Sequence, residues 1–325
     1  MSRFRLGYLY ALSPIHPGGE GDLGNILDIV RETHTNFPYI PGSSLRGCLR
    51  DEVKYSGLPN ADAKKIANRL FGDELDTSTG NMGVHQAWFG DARLLWVPMR
   101  TMELEGKGDV FTWVSCHTLI RDHALLSQQG QNLPSLPDIP VGTRTGEYWV
   151  ADSQITVGAM PTGLTEATEL PKWSTSLEGE VKSTWNDCRI ILPDNDFDVL
   201  MEHALWTQIR NKITAEDNLN GKTQPGSAEV FWTDICIPRD TILYFPWGYR
   251  KDKPVLESDH NALMSVVNAL FQVGGQANVG RGWVQGWVVN DQPPENLREP
   301  VEEIDAAAES ESLEEKMPMP TGAGI

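Results

Sequence analysis

The order of strand-like and helix-like segments most constrains the fold of this chain. Phe4 to Leu12 places a large apolar side chain at every second position, which predicts a β-strand with one buried face. Near the C-terminus, a strand at Thr241 to Trp247, a helix at Asn261 to Val273 and a strand at Gly280 to Val289 follow one another. Strand and helix units at both ends, with irregular sequence between them, predict an α+β fold with a ferredoxin-like core rather than a doubly wound parallel sheet.

The middle of the chain begins with a turn-rich stretch. Turn residues dominate positions 130–187, which predicts an insertion of irregular structure with a few strands. After a short strand at Cys188 to Leu192, Asp194 or Asn195 is expected to cap a long amphipathic helix that includes Ile209.

A second distinctive segment follows that helix. Two strand-like pieces between Ile213 and Ile237 flank a polar tip at Asn218 to Ser227 with Asn-Gly and Pro-Gly pairs, which predicts a long projecting hairpin. The chain is therefore divided into the segments 1–129, 130–187, 188–212, 213–237, 238–290 and 291–325.

The net charge of −18 is unusual for a chain that binds nucleic acid, because such domains are usually basic. The charge is unevenly distributed. From Asp291 to the C-terminus there are ten acidic and two basic residues, which give this segment a net charge of −8. Its lack of aromatic residues predicts a disordered acidic tail, so phosphate binding must depend on local basic patches.

Cysteine spacing and hydropathy indicate a cytoplasmic protein. The four cysteines are far apart and lack the spacing of a zinc site, which predicts reduced thiols: Cys48, Cys116, Cys188 and Cys236. No apolar run approaches eighteen residues, so no membrane span is expected.

Glycine-punctuated segments lie at opposite ends of the chain. His16 to Asp22 continues to Pro41 to Gly47, and the other segment is Gly274 to Trp283. Each joins flexible backbone to a basic residue. Glycines let backbone N–H groups approach an anion, and arginines supply paired donors to phosphate oxygens. Although most such loops are ordinary turns, the pair together indicates binding of a polyanion.

A row of cations follows the first glycine segment. Ser43 or Ser44 is expected to cap a helix on which Arg46, Arg50 and Lys54 recur at every fourth position. A solvated helix face is the ordinary explanation of such a row. The position of the first cation, one turn inside a helix N-terminus, instead favours anion binding.

Together these motifs resemble the RAMP superfamily of CRISPR proteins, and within it the backbone subunits of type III-B (Cmr) effector complexes. Order and spacing agree over both ends and the first third of the chain, whereas positions 130–187 and the acidic tail do not match. The matching segments are Leu12 to Gly19, Asp28, Arg31 to Thr35, Phe37 to Gly47, Gly90 to Leu95 and the C-terminal glycine loop.

The resemblance implies an RRM-like palm, several copies of which stack as a filament along a CRISPR guide RNA within a complex of other subunits. It also implies a β-hairpin thumb that kinks the duplex of guide and target RNA. In this family the same subunit cuts target RNA beside each kink, with a divalent metal, expected to be Mg²⁺ or Mn²⁺. Asp28 matches the aspartate that this reaction requires, and so is the expected metal ligand; His16 matches a histidine of the same motif.

The chemistry of RNA is consistent with these roles. The 2′-hydroxyl can attack the adjacent phosphorus only when both lie in line with the leaving oxygen, and A-form stacking prevents this alignment. Once a wedge splays the strand, one carboxylate can hold a hydrated metal or accept the 2′-proton, and an imidazole can assist. The alternatives are a turn-capping role for Asp28 and a backbone-bonded loop role for His16.

Guide-RNA contacts are expected to hold the backbone without reading sequence. The residues expected to make them are Ser43, Ser44, Arg46, Arg50, Lys212, Gly275, Gln276 and Arg281.

Two other classes of function are alternatives to an RNA-guided nuclease. A scaffold subunit that binds guide RNA without cutting is the main alternative, and the presence of Asp28 favours the nuclease over it. A small-molecule enzyme with nucleotide-binding glycine loops is disfavoured because the chain has no GxxxxGK[ST] motif.

Overall fold

The computed structural model describes residues 5–19, 22–23, 25–57, 59–72, 85–104, 110–128, 130–213, 228–294 and 297–298. The helices are α1 (Gly42–Lys54), α2 (Asn60–Phe71), α3 (His117–Leu126), α4 (Thr162–Ala167), α5 (Glu180–Asp187), α6 (Asp194–Ala204) and α7 (Glu257–Val267). The strands are β1 (Arg5–Ala11), β2 (Asp22–Leu23), β3 (Ile26–Leu27), β4 (Tyr39–Ile40), β5 (Ala87–Phe89), β6 (Ala92–Glu103), β7 (Phe111–Cys116), β8 (Val141–Gly142), β9 (Gly146–Val150), β10 (Ser153–Ala159), β11 (Arg189–Leu192), β12 (Trp206–Ile213), β13 (Ala228–Cys236), β14 (Ile242–Tyr249), β15 (Val255–Leu256), β16 (Leu270–Gln272), β17 (Trp283–Val288) and β18 (Leu297–Arg298).

One half of the main sheet is built from strands at both ends of the chain. Its order is β16-β17-β1-β14-β6, and each neighbouring pair is antiparallel. Helices α1 and α2 lie in the connection from β1 to β6, and α7 lies in the connection from β14 to β17. The predicted α+β class is therefore confirmed.

The other half of the sheet closes on itself. From β6 the order continues through β7, β11, β8, β10 and β9, and β9 pairs back with β6. This closed circuit of six strands was not predicted. Three of its strands, β8 to β10, come from positions 130–187, where a few strands were predicted within irregular structure. Their pairing into the circuit was missed because these strands are short or half polar and are separated by turn residues.

Strand β1 is buried on both faces, and the expectation of a single buried face is wrong. Tyr8 and Tyr10 pack into one core cluster, where Trp173, from the segment 130–187, also lies. Leu9 and Ala11 pack into a second cluster on the other face. The period-two pattern reflects a central strand whose two faces differ in side-chain size rather than in exposure.

Helices α6 and α7 are shorter than predicted. Helix α6 ends at Ala204, and Ile209 lies in β12 with 74% of its surface exposed. Helix α7 ends at Val267, and the chain then forms β16. In both places an apolar pattern continues from a helix into a strand, so the pattern alone did not show where the helix ends.

Strands β12 and β13 form the predicted hairpin, and their pairing starts with Trp206 opposite Cys236. The hairpin therefore begins earlier than the predicted Ile213. Strand β3 pairs with β13 and adds a third strand to this small sheet. The predicted tip at Asn218 to Ser227 lies outside the described residues.

No helix among the residues that the structure describes combines the length and apolar character needed to cross a bilayer.

The buried side chain of His123 makes the stability of the fold depend on pH. The ring of His123 is hydrogen-bonded to the hydroxyl of Tyr8 at 2.8 Å, and burial lowers the pKa of His123 to about 4. Because this value lies below the ordinary 6.5, the unfolded chain binds the proton first as the pH falls. The stabilisation is therefore complete above about pH 6.5 and is lost toward pH 4, by about 3 kcal/mol.

We expect this loss in the free energy of unfolding measured by urea titration between pH 7 and pH 4. The variant His123→Gln, which cannot titrate, should show a flatter pH dependence than the wild type. A His34→Gln variant, altered at an exposed position, serves as the control. An unchanged slope in His123→Gln would contradict the assignment.

Candidate functional site

The structure brings the two glycine-punctuated ends of the chain together. The N–H of Gly275 donates to the carbonyl oxygen of His16 at 2.7 Å. Gly274 has a φ of +85°, and a Cβ atom there would lie 2.4 Å from the same oxygen. Only glycine fits this approach, so the pairing of the two segments depends on it.

His16 lies in a buried position at this junction. Its side chain has an exposed fraction of 8%, and its Nδ1 atom accepts a hydrogen bond from the N–H of Gly18 at 3.2 Å. A neutral ring that accepts at Nδ1 carries its proton on Nε2. The buried Nε2 atom has no hydrogen-bond partner among the described residues. The ring therefore presents a donor that a bound phosphate oxygen can satisfy.

Asp28 lies on a neighbouring loop, directly after β3. The N–H of Val30 donates to the carbonyl oxygen of Gly18 at 2.6 Å, and a Cβ atom on Gly19 would lie 2.3 Å from the carbonyl oxygen of Asp28. The loops that carry His16 and Asp28 are therefore packed together through their backbones.

The carboxylate of Asp28 is one-third exposed. Its Oδ1 atom accepts from the N–H of Ile29 at 2.8 Å and lies 3.6 Å from the guanidinium group of Arg31. This local bond resembles the turn-capping alternative, yet it uses one oxygen only. The other oxygen can serve a ligand, because a carboxylate has several acceptor positions.

Arg31 belongs to the matching motif, but no role was predicted for it. Its guanidinium group is mostly buried and pairs with Glu202 of α6 at 2.6 Å. This pair fixes a positive charge beside Asp28. The spacing of three positions from Asp28 was the only signal for it in the sequence.

A divalent metal fits this site only if the RNA supplies some of the ligands that coordinate it. No group of three or more His, Cys, Asp or Glu side chains that could hold a metal occurs in the described ranges. Mg²⁺ is commonly held by one or two carboxylates together with water and substrate phosphates. One available oxygen on Asp28 suits that mode, in which RNA supplies further ligands.

The N-terminus of α1 differs from the prediction. The helix begins at Gly42, after Pro41, so neither Ser43 nor Ser44 is the N-cap residue. The N–H of Gly42 instead donates to the carboxylate of Asp91 at 2.7 Å. Ser43 is exposed. A phosphate bound at this helix N-terminus would, however, lie beside the carboxylate of Asp91, which already occupies one of the N–H groups.

Arg46 and Arg50 contact the neighbouring helix α2. Arg46 donates to the carbonyl oxygen of Phe71, and Arg50 donates to the side chain of Asn68 at 3.2 Å. Desolvation by burial lowers the pKa of Arg46. Both guanidinium groups hold α1 against α2, and their contact with RNA stays a prediction.

Arg281, predicted to contact guide RNA, is buried in the structure. Its exposed fraction is 5%, and it pairs with the fully buried carboxylate of Asp234 at 2.9 Å. It also donates to the side chains of Gln276 and Gln208. The side chain therefore joins the glycine loop to the hairpin, and a direct phosphate contact through it stays a prediction.

The remaining predicted RNA-binding residues are accessible to different degrees. Gly275 and Lys212 are exposed, and Gln276 is half-buried with a φ of +64°. Lys212 lies on the hairpin opposite Val230. Ile209 and Phe231, on the other face of the hairpin, are also exposed.

Comparison with known proteins relates the chain to one family. The model of the RAMP superfamily matches residues 8–285. The CRISPR system Cmr endoribonuclease Cmr4 of Pyrococcus furiosus is 27% identical over 294 residues, which cover 85% of this chain and 92% of that protein.

Solved structures agree on the fold. Oligomeric Cmr4 from Pyrococcus furiosus has a TM-score of 0.60 at 22% identity, covering 88% of this chain and 97% of its own. A chain of the type III-B Cmr-beta complex bound to cognate target RNA has a TM-score of 0.65 at 15% identity. The match covers 89% of this chain and 98% of that chain. The family model spans most of the sequence, and the chain therefore belongs to the RAMP superfamily.

Proposed function

We propose that this chain is a backbone subunit of a type III-B (Cmr) effector complex in the prokaryotic cytoplasm, and that it binds guide RNA and cleaves complementary target RNA. The observation that carries the proposal is the packing of the His16 loop against both the Asp28 loop and the C-terminal glycine loop, at the base of the hairpin. The relative's name, an endoribonuclease of the Cmr system, and the oligomeric form of Cmr4 support it.

We assign the palm to four strands of the open half-sheet. Strands β17, β1, β14 and β6 lie in the order 4-1-3-2 by chain position, and helices fill the two connections that a ferredoxin-like fold requires. The closed circuit is an elaboration beyond β6. The palm then presents its helices α1 and α7 on one side of the sheet.

The hairpin is proposed to be the thumb. Its face with Ile209 and Phe231 carries apolar side chains exposed by 74% and 57%. Phe231 can stack against a base that leaves a duplex, and both side chains can act as an apolar wedge between bases. Displacing one nucleotide frees its 2′-oxygen to align with the neighbouring phosphorus and the leaving 5′-oxygen.

Asp28 and His16 have different roles in this proposal. The available oxygen of Asp28 accepts the proton of the 2′-hydroxyl as the 2′-oxygen attacks phosphorus; the bond from phosphorus to the 5′-oxygen breaks, and water supplies the proton that the leaving 5′-oxygen takes up. The Nε2–H group of His16 donates a hydrogen bond to the phosphate, whose charge increases in the transition state. Arg31, whose guanidinium group lies 3.6 Å from the Oδ1 atom of Asp28, helps to hold that carboxylate in place. In the alternative use of this oxygen, Asp28 together with phosphate oxygens would hold a divalent metal, Mg²⁺ or Mn²⁺, which would neutralise charge on the phosphate.

Lys212 should contribute one phosphate contact from the hairpin. Replacing it with Gln should weaken RNA binding equally for all sequences and reduce the slope of log K against log salt by about 0.7. Filter binding at several salt concentrations measures both quantities. Lys64→Gln, at an exposed position on α2, is the matched control; equal slopes in the two variants would remove Lys212 from the RNA path.

The decisive test of the proposed function is a cleavage assay. The chain is assembled with its partner subunits and one defined guide RNA, and is given a matching target RNA with a divalent metal. Cuts at evenly spaced positions are expected, because each copy in a filament would act at its own kink. Tight binding of guide and target without any cut would assign the chain to the scaffold class.

A further inference from the structure

Arg281 lies at the centre of a buried polar cluster at the hairpin base. Its Nη1 atom lies 2.9 Å from the carboxylate of Asp234, and its Nη2 atom donates to Gln208 at 2.8 Å. The guanidinium carbon lies 4.6 Å from the ring centre of Trp206. Asp234 is fully buried, and its Oδ1 atom lacks a hydrogen-bond partner in the part of the chain that the structure describes. Removing the cationic partner of such a buried carboxylate would leave an uncompensated charge in the interior, which is strongly destabilising.

One side of the cluster leads to Asp28. Asp234 lies on β13, and its paired residue on β3 is Leu27, which directly precedes Asp28. The N–H of Thr233 donates to the carbonyl oxygen of Asn25 at 2.7 Å. The position of Asp234 therefore fixes the short strand from which the Asp28 loop begins.

The other side leads to His16. Arg281 donates to the side chain of Gln276, whose neighbour Gly275 is bonded to the carbonyl oxygen of His16. The next residue, Gly282, donates its N–H to the carbonyl oxygen of Pro14 at 2.9 Å. Arg281 thus holds the glycine loop in the conformation that supports the His16 loop.

We propose that Arg281 is a positioning residue, which couples the Asp28 loop to the His16 loop through Asp234 and Gln276 without touching RNA. The role in cleavage rests on the proposed function, whereas the structural coupling does not. Arg210 also lies near Asp234, at 3.4 Å, but its side chain is one-third exposed and belongs to the hairpin alone. It cannot replace the link to the glycine loop.

The coupling is tested first by hydrogen exchange on the full chain without RNA. The amides of Ile29, Val30 and Gly275 are hydrogen-bonded within the two loops and the glycine loop. In Arg281→Gln, peptides that contain these amides should exchange about 10-fold faster. Arg281→Lys, which restores charge but not the forked contacts, should be intermediate.

A matched control separates coupling from general destabilisation. Arg69→Gln removes another arginine that pairs with a fully buried aspartate, Asp259, away from these loops. It should lower global stability and leave the relative exchange of the three amides unchanged. Equal acceleration in both variants, or none in Arg281→Gln, would overturn the coupling.

The assembled complex supplies the second readout. In Arg281→Gln, the single-turnover cleavage rate should fall about 10- to 100-fold, while the Kd for target RNA stays within about 2-fold of wild type. A loss of affinity as large as the loss of rate would mean that Arg281 contacts RNA, and would overturn the proposal. If the wild-type complex does not cut at all, the proposed function fails, and the exchange data still decide the coupling.

Discussion

Replacing Asp28 with Asn should reduce guided cleavage of target RNA by about 10³-fold or more, while assembly and target binding stay near wild type. The substitution removes the charge and the proton acceptor. It keeps an oxygen that can accept the hydrogen bond from Ile29, so the loop should retain its shape. Single-turnover cleavage and filter binding measure the two effects separately.

Asp198→Asn is the control for Asp28, because Asp198 is an exposed carboxylate on α6. It should cut at the wild-type rate. If Asp28→Asn loses target affinity in proportion to cleavage, the residue has a structural role. Undiminished cutting would end the nuclease assignment.

Replacing Arg69 with Ala should destabilise the fold by about 3 kcal/mol. Its guanidinium group forms two bonds, of 2.8 and 2.6 Å, with Asp259 in the first turn of α7, and that carboxylate is fully buried. Without its partner, the charge stays buried. The N-terminus of α7 and the hydroxyl of Ser258 offset part of the cost.

Urea denaturation of three variants tests this expectation. Arg69→Ala should shift the midpoint strongly. Arg250→Ala, which breaks an exposed pair with Asp252, should leave it nearly unchanged. The double variant Arg69→Met with Asp259→Leu should recover most of the loss, because two apolar side chains leave no buried charge. A double variant as unstable as Arg69→Ala would show that packing, rather than the charge, carries the effect.

Local patterns predicted the elements whose causes are local. The stripe of Leu45, Leu49 and Val53 on α1 is buried as its spacing predicts. Helix α2 ends at Gly72, whose φ of +87° is a value that glycine adopts without steric cost. In both cases the determining residues lie within one or two turns of each other.

Apart from the ends of α6 and α7, the main failures concern residues whose partners are distant in the sequence. Helix α1 is capped by Asp91, and the first turn of α3 is capped by Asp194 from α6, so neither cap is visible near its helix. Arg281 was predicted only as an RNA contact, because its counter-charge, Asp234, lies on another element and cannot be recognised from the glycine loop alone. The resemblance pointed to His16 and Asp28, but only the structure shows that their loops are in contact.

The position of β1 has a consequence for synthesis on the ribosome. This strand ends at Ala11, yet it pairs with β14, which begins at Ile242, and with β17, which ends at Val288. At roughly 5–20 residues per second, an emerging chain waits on the order of 10 to 50 s before β1 has its partners. During that time β1, a strand that is buried on both faces in the finished fold, is exposed to other chains. Chaperone demand in the cell should therefore depend on the rate of translation more than on the stability of the finished protein.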